Sequence, residues 1–156
     1  MQAPIKRQSV DLSHYPDLVM IMLGFRLRGW RGLLAMRRIG PGLGRIARDR
    51  PDGLLAHETM MFSLSHFGFR QYWRDPDALE RFTRSEPHAD WWRRIRELSA
   101  GAGFWHEAWH AKGGVEALYV AMPHPVGLQH FAPERAPVGP FMSARGRLQG
   151  AAVAQA

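Results

Sequence analysis

Gly103-Phe104-Trp105-His106-Glu107-Ala108-Trp109-His110 is the stretch whose conformation decides the fold. Residues 106–110 spell H-E-x-x-H. On a helix the two histidines would share a face and ligate zinc, leaving Glu107 as general base toward a bound water. The flanks point elsewhere. Gly101 and Gly103 stand just before the string and Gly113-Gly114 just after it, while Trp105 and Trp109 favour a strand. Four residues apart on an extended strand, His106 and His110 have Cα atoms about 13 Å apart, too far for one zinc ion. As a strand, Phe104, His106, Ala108 and His110 face one way, and Trp105, Glu107 and Trp109 the other.

Upstream, Leu18-Val-Met-Ile-Met-Leu-Gly-Phe25 is short and apolar on both alternating faces, which predicts a strand covered on both sides. Between Trp30 and Arg50, Leu33, Met36, Ile39, Leu43 and Ile46 recur at three- and four-residue steps with arginines between them, the pattern of an amphipathic helix. Gly40-Pro41-Gly42 predicts a kink in it, or two shorter helices. Leu54 to Leu64 and Phe67 to Arg74 read as a hairpin of two strands. Asp75-Pro76 then opens a helix with an acidic N-cap and proline at its first position. After Pro87, residues 88–98 place Trp91, Ile95 and Leu98 on one helical face. The order strand, helix, strand, strand, helix, strand predicts an α+β ferredoxin-like βαββαβ unit. Its strands are apolar on both alternating faces, as in Met60, Met61 and Phe62, so the second sheet face also needs cover, most simply from a second copy of the chain.

The chain has 156 residues, a prior for one domain. We expect residues 1–16 to form an N-terminal arm, 17–122 the folded domain, and 123–156 a Pro-rich arm with a frayed tail. With no cysteine, thiolate metal sites, disulfides and a cysteine nucleophile are excluded. The net charge of +7 comes entirely from residues 1–50, which carry ten basic and three acidic side chains. Nineteen of the 21 cations are arginine, but no helix-turn-helix, zinc or RNP pattern accompanies them, so nucleic acid is disfavoured as a partner. The longest strongly apolar run, eight residues, is far short of the ~20 that span a membrane. With no signal-peptide pattern, the expected location is the cytoplasm.

A histidine among aromatic side chains is a candidate base, proton donor or haem ligand, and His106 is the foremost, with His57-Glu58 a second pair. The alternation in Phe69-Arg70-Gln71-Tyr72-Trp73-Arg74 suits the lining of an apolar pocket with a few polar groups.

Pro16-Asp17-Leu18-Val19 with Leu23-Gly24-Phe25-Arg26, Arg70-Gln71-Tyr72-Trp73-Arg74, Gly103-Phe104-Trp105-His106-Glu107, and Gly114 to Tyr119 with Met122-Pro123 are four spaced motifs. Through them the chain, over roughly residues 8 to 148, resembles the small monooxygenase-like proteins grouped with the fumagillin-pathway monooxygenase. The resemblance implies a dimeric α/β barrel related to antibiotic-biosynthesis monooxygenases. It also implies a small-molecule monooxygenase of specialised metabolism, taking a small apolar or aromatic organic substrate and dioxygen, without flavin or metal. On that reading His106 and Glu107 are the catalytic candidates. Arg70, Gln71, Tyr72, Trp73, His57 and Trp105 are the substrate-binding candidates. The alternatives are a haem protein of the same fold with His106, His57 or His110 as axial ligand, an H-E-x-x-H zinc hydrolase, and a non-catalytic binding module using the arginine-rich helix.

Overall fold

Val19, Ile21, Leu23 and Phe25 alternate with Met20, Met22 and Gly24, and a strand apolar on both sides belongs in the middle of a sheet. In the computed structural model, which describes residues 9–86, 88–93 and 99–153, that is its place. Strand β1 (Val19–Leu27) pairs antiparallel with both β3 (His66–Trp73) and β4 (Ala102–His110). The edges are β2 (Leu54–Ser63) and β5 (Gly114–Val120), giving the order β2-β3-β1-β4-β5. The ferredoxin-like βαββαβ order is present, and β5 extends it. Gly113 and Gly114 do not merely end β4. Both take positive φ (113° and 96°), which suits glycine, and they turn the chain into a β4–β5 hairpin.

Helix α1 (Gly29–Asp49) connects β1 to β2, and α2 (Pro76–Arg84) with α3 (His88–Arg93) connects β3 to β4. The α1 helix runs unbroken through Pro41, which lies on its exposed side. Its buried face is Gly32, Ala35, Gly42 and Ile46, with Met36 partly buried. Leu33, expected in that stripe, is exposed, because it sits about 60° outside the sheet-facing arc at 100° per residue. Gly42 lets the Trp91 ring approach the α1 backbone. Asp75 caps α2, accepting the Ala78 amide at 2.7 Å, with Pro76 at the first position. Ile95 and Leu98, and the side chains of Ile39 and Leu43, lie outside the described residues.

The core forms where these helices meet one sheet face: Val19, Ile21 and Phe25 of β1, Phe69 and Trp73 of β3 and Ala108 of β4, against Ile46, Ala78 and Phe82. The register places Gln71, His106 and Glu116 on the same face. The opposite face carries Met20, Met22, Arg70, Tyr72, Trp105, Glu107, Trp109 and Tyr119. There Trp105 lies across Gly24, and its indole donates to His66 Nε2 at 2.9 Å.

The end of the chain is more structured than its composition suggests. Within residues 123–156, expected as a Pro-rich arm with a frayed tail, helix α4 (Ala144–Val153) forms after short 3₁₀ turns at Gly127–His130 and Gly139–Met142. Ion pairs hold it: Arg145 with Asp77 at 2.7 Å and Glu80 at 2.6 Å on α2, and Arg147 with Glu116 at 2.7 Å on β5. No helix among the described residues is long and apolar enough to cross a membrane.

Gly68 faces Gly24 across β1–β3, and a Cβ there would collide with the backbone carbonyl of Leu23. Gly68→Ala is therefore expected to cost about 1–3 kcal/mol through strand displacement. The check is a lower urea midpoint at unchanged m-value. Asp75→Ala should cost about 1 kcal/mol through loss of the cap.

Candidate active site

The β4–β5 hairpin pairs Ala108 with Glu116 and His106 with Leu118, so His106 and Glu116 are diagonal neighbours on the helix side of the sheet. His106 Nε2 and Glu116 Oε1 are 3.0 Å apart. Glu116 is buried. Burial alone would raise its carboxyl pKa, but the His106 hydrogen bond and charge together with Arg147 outweigh it and hold the group below the ordinary glutamate value. An ionised carboxylate only accepts, so His106 Nε2 carries the proton and Nδ1 is the acceptor of the neutral ring. The other oxygen, Oε2, accepts from Arg147 Nε at 2.7 Å, and the same guanidinium donates to the carbonyls of Phe141 and Met142.

His88 approaches the same space from α3. Its Nδ1 lies 2.8 Å from the Thr83 carbonyl, which can only accept, so the proton sits on Nδ1 and Nε2 keeps its lone pair. Burial pushes the His88 pKa down, the Thr83 bond opposes this, and the charge of neighbouring His106 adds to it. Trp92 stands edge-on to Phe104 with ring centres 6.0 Å apart, and Phe104 to His106 at 6.0 Å, making an aromatic wall between the two histidines. His110, farther along β4, is also lowered by burial, with Glu116 pulling the other way.

The expected site residues separate into three groups. Glu107 is not beside His106: successive residues of a strand face opposite sides, and Glu107 accepts from Tyr119 Oη on the far face. The two cannot act together at one centre within a protomer. Arg70, Tyr72 and Trp105 are on that far face too. Arg70 pairs with Glu58 at 2.6 Å and lies over the Tyr72 ring. Gln71, Trp73 and His57 are on the helix side but toward the β2 edge, with the packed Ile21 and Ala108 between them and Glu116 in the sheet row.

That third group has its own logic. The Trp73 indole can only donate, and it reaches Gln71 Oε1 at 3.2 Å, so the Gln71 amide N–H faces His57 Nδ1 at 3.0 Å. His57 is thus a neutral ring with its proton on Nε2, its pKa lowered by burial. A proton on Nε2 makes it a hydrogen-bond donor and excludes it as an Nε2 ligand in this arrangement. The H-E-x-x-H string is a strand, and among the described residues no three His, Asp or Glu side chains converge to hold a metal ion. The zinc hydrolase reading is corrected on that geometry.

Sequence reasoning passed over His88, Glu116 and Arg147. For Glu116 the signal was there: Gly113-Gly114 read as a hairpin turn brings it beside His106. Nothing local in the sequence marks the other two.

A model of the monooxygenase af470-like proteins matches residues 18–128. The chain belongs to the monooxygenase af470-like family. Two aliphatic aldoxime dehydratases are similar over 100 residues, 58% of this chain. The one from Rhodococcus globerulus is 33% identical and that from Rhodococcus erythropolis 35%. The chain spans only 27% of the length of either. Among solved structures, SnoaB, a cofactor-independent oxygenase from Streptomyces nogalater, is 16% identical with a TM-score of 0.45, covering 60% of this chain and 91% of that one.

Burial holds His57, His88 and His110 below the ordinary histidine value of 6.5. Unfolding restores that value, so below pH 6.5 the unfolded chain binds more protons and stability falls as pH falls. The thermal midpoint should therefore decline between about pH 6.5 and pH 5. His88→Phe should flatten that slope in the same pH series.

Proposed function

We propose that this family member is a small-molecule monooxygenase that works without flavin or metal, with His106 as general base. The observation that carries the reading is the His106–Glu116 pair at 3.0 Å beside an aromatic wall. A carboxylate on one ring nitrogen orients the imidazole and stabilises the imidazolium that forms when the other nitrogen takes a proton. His106 Nδ1 removes a proton from an activated methylene carbon of a small apolar or aromatic substrate packed along Phe104 and Trp92. The carbanion reduces dioxygen and binds one of its oxygens. Breaking the O–O bond, with loss of the second methylene hydrogen, leaves one oxygen on carbon as a carbonyl. The other oxygen departs with both hydrogens as water, so one methylene and one dioxygen become one carbonyl and one water. The far sheet face, with Met20, Met22 and Trp109 half-buried, is covered by a second copy in a homodimer of the dimeric α/β barrel type. We assign the protein to the cytoplasm and to specialised metabolism.

A second reading, a haem protein of the same fold, is favoured by His88. Its Nδ1–H is anchored on a backbone carbonyl, burial favours the neutral ring, and Nε2 has no partner among the described residues, so His88 would be the residue to hold the haem iron. A haem there would supply one-electron and dioxygen chemistry. Of the three haem-ligand candidates of the sequence, His106, His57 and His110, the first two fit less well, since Nε2 bears the proton in both.

His106→Ala should lower oxygen consumption with a turned-over substrate by about 10²-fold or more while the dimer persists on gel filtration. Full turnover in a folded His106→Ala protein refutes the base assignment. A Soret band on the purified protein, lost in His88→Ala, would establish the haem reading instead.

A further inference from the structure

Resting on the reading of His106 as the base, we propose that Arg147 of the C-terminal helix is a positioning residue that sets the proton affinity of His106 by taking half of the Glu116 carboxylate.

The geometry is that of a divided carboxylate. Oε1 faces His106 Nε2 at 3.0 Å and Oε2 faces Arg147 Nε at 2.7 Å. The Glu116 side chain is 2% exposed and that of Arg147 13%, so water screens neither ion well. A carboxylate serving an imidazole alone favours its protonated form, whereas a guanidinium on the second oxygen takes up part of that charge and weakens the effect. A base that must pick up a proton and release it in each cycle works best with its pKa near the working pH.

The guanidinium is itself held in place, since it also donates to the carbonyls of Phe141 at 3.1 Å and Met142 at 3.0 Å. Two residues earlier, Arg145 ties the same helix to Asp77 and Glu80 of α2. The segment from 139 to 153 therefore spans from α2 to β5 and delivers one charge to one oxygen. Among the described residues, the titratable and charged groups near His106 are Glu116 on β5, His88 on α3, Arg147 on α4, and His110 on its own strand. His88 lies low through burial, so at neutral pH it adds no charge that would mask the Arg147 effect.

The test is the titration of the His106 ring by NMR in the full-length protein, in wild type, Arg147→Met, Arg147→Lys and Glu116→Gln. Arg147→Met should move the His106 midpoint up by about one pH unit. Glu116→Gln should move it down, and Arg147→Lys should restore most of the wild-type value. The acid limb of the kcat profile should move up with the midpoint in Arg147→Met, whereas a purely structural Arg147 would loosen α4 without moving either. An unchanged midpoint in Arg147→Met, with Glu116→Gln still shifting it, overturns the proposal and leaves the His106–Glu116 site standing. Midpoints that move as expected, in a protein whose His106→Ala variant retains full turnover, would support the charge division and refute the base assignment. Should Arg147→Met fail to fold, Arg147→Lys with Arg145→Met decides: a midpoint that follows helix undocking in Arg145→Met supports the assignment, and one that ignores it overturns it.

Discussion

A carboxylate taken out of water must be compensated by charge and hydrogen bonds, and Glu116 imposes that requirement on its surroundings. It projects from an edge strand onto the helix side of the sheet, where the alternative neighbours are apolar. One oxygen is satisfied by His106 and the other by Arg147. Meeting the second demand recruits the end of the chain, because an arginine thirty-one residues away must be brought back across the sheet. The orientation of the His106 ring and the location of its other nitrogen follow from that buried charge, which also holds α4 together with the Arg145 pairs to Asp77 and Glu80.

Histidine tautomers on this protein are dictated in the same way, by groups that can play only one hydrogen-bonding role. The Trp73 indole only donates, which turns the Gln71 amide and places the His57 proton on Nε2. The Thr83 carbonyl only accepts, which places the His88 proton on Nδ1. The ionised Glu116 only accepts, which places the His106 proton on Nε2. Three histidines on the helix side of the sheet are therefore given three distinct capacities: a donor at the β2 edge, an open lone pair on α3, and a carboxylate-oriented ring on β4.

The division of the sheet into two chemical faces separates residues that are neighbours in sequence. His106 and Glu107 are adjacent in the chain and on opposite sides of the sheet. Arg70 and Gln71 repeat the pattern on β3, one in an ion pair with Glu58 and the other in the Trp73–His57 chain. A string such as H-E-x-x-H has meaning for zinc only where the period is 3.6 residues; on a period of two it disperses.

Much of the fold was legible from local pattern, since periodicity is a local property. The β1 run, the capped start of α2 at Asp75-Pro76 and the strand character of residues 104–110 each rest on a few adjacent side chains and a known period. His106 was legible for the same reason, as a histidine alternating with aromatics. Arg147 and His88 were not, because their roles depend on which distant backbone or side chain they meet. A composition of prolines, glycines and alanines after residue 122 predicts looseness, whereas the ion pairs to Asp77, Glu80 and Glu116 order that segment. Elements, their order and the family were thus written in local runs of residues. The gathering of His106, Glu116, His88 and Arg147 into one place was not, because strand register and long-range charge pairing are set by contacts between segments far apart in the chain.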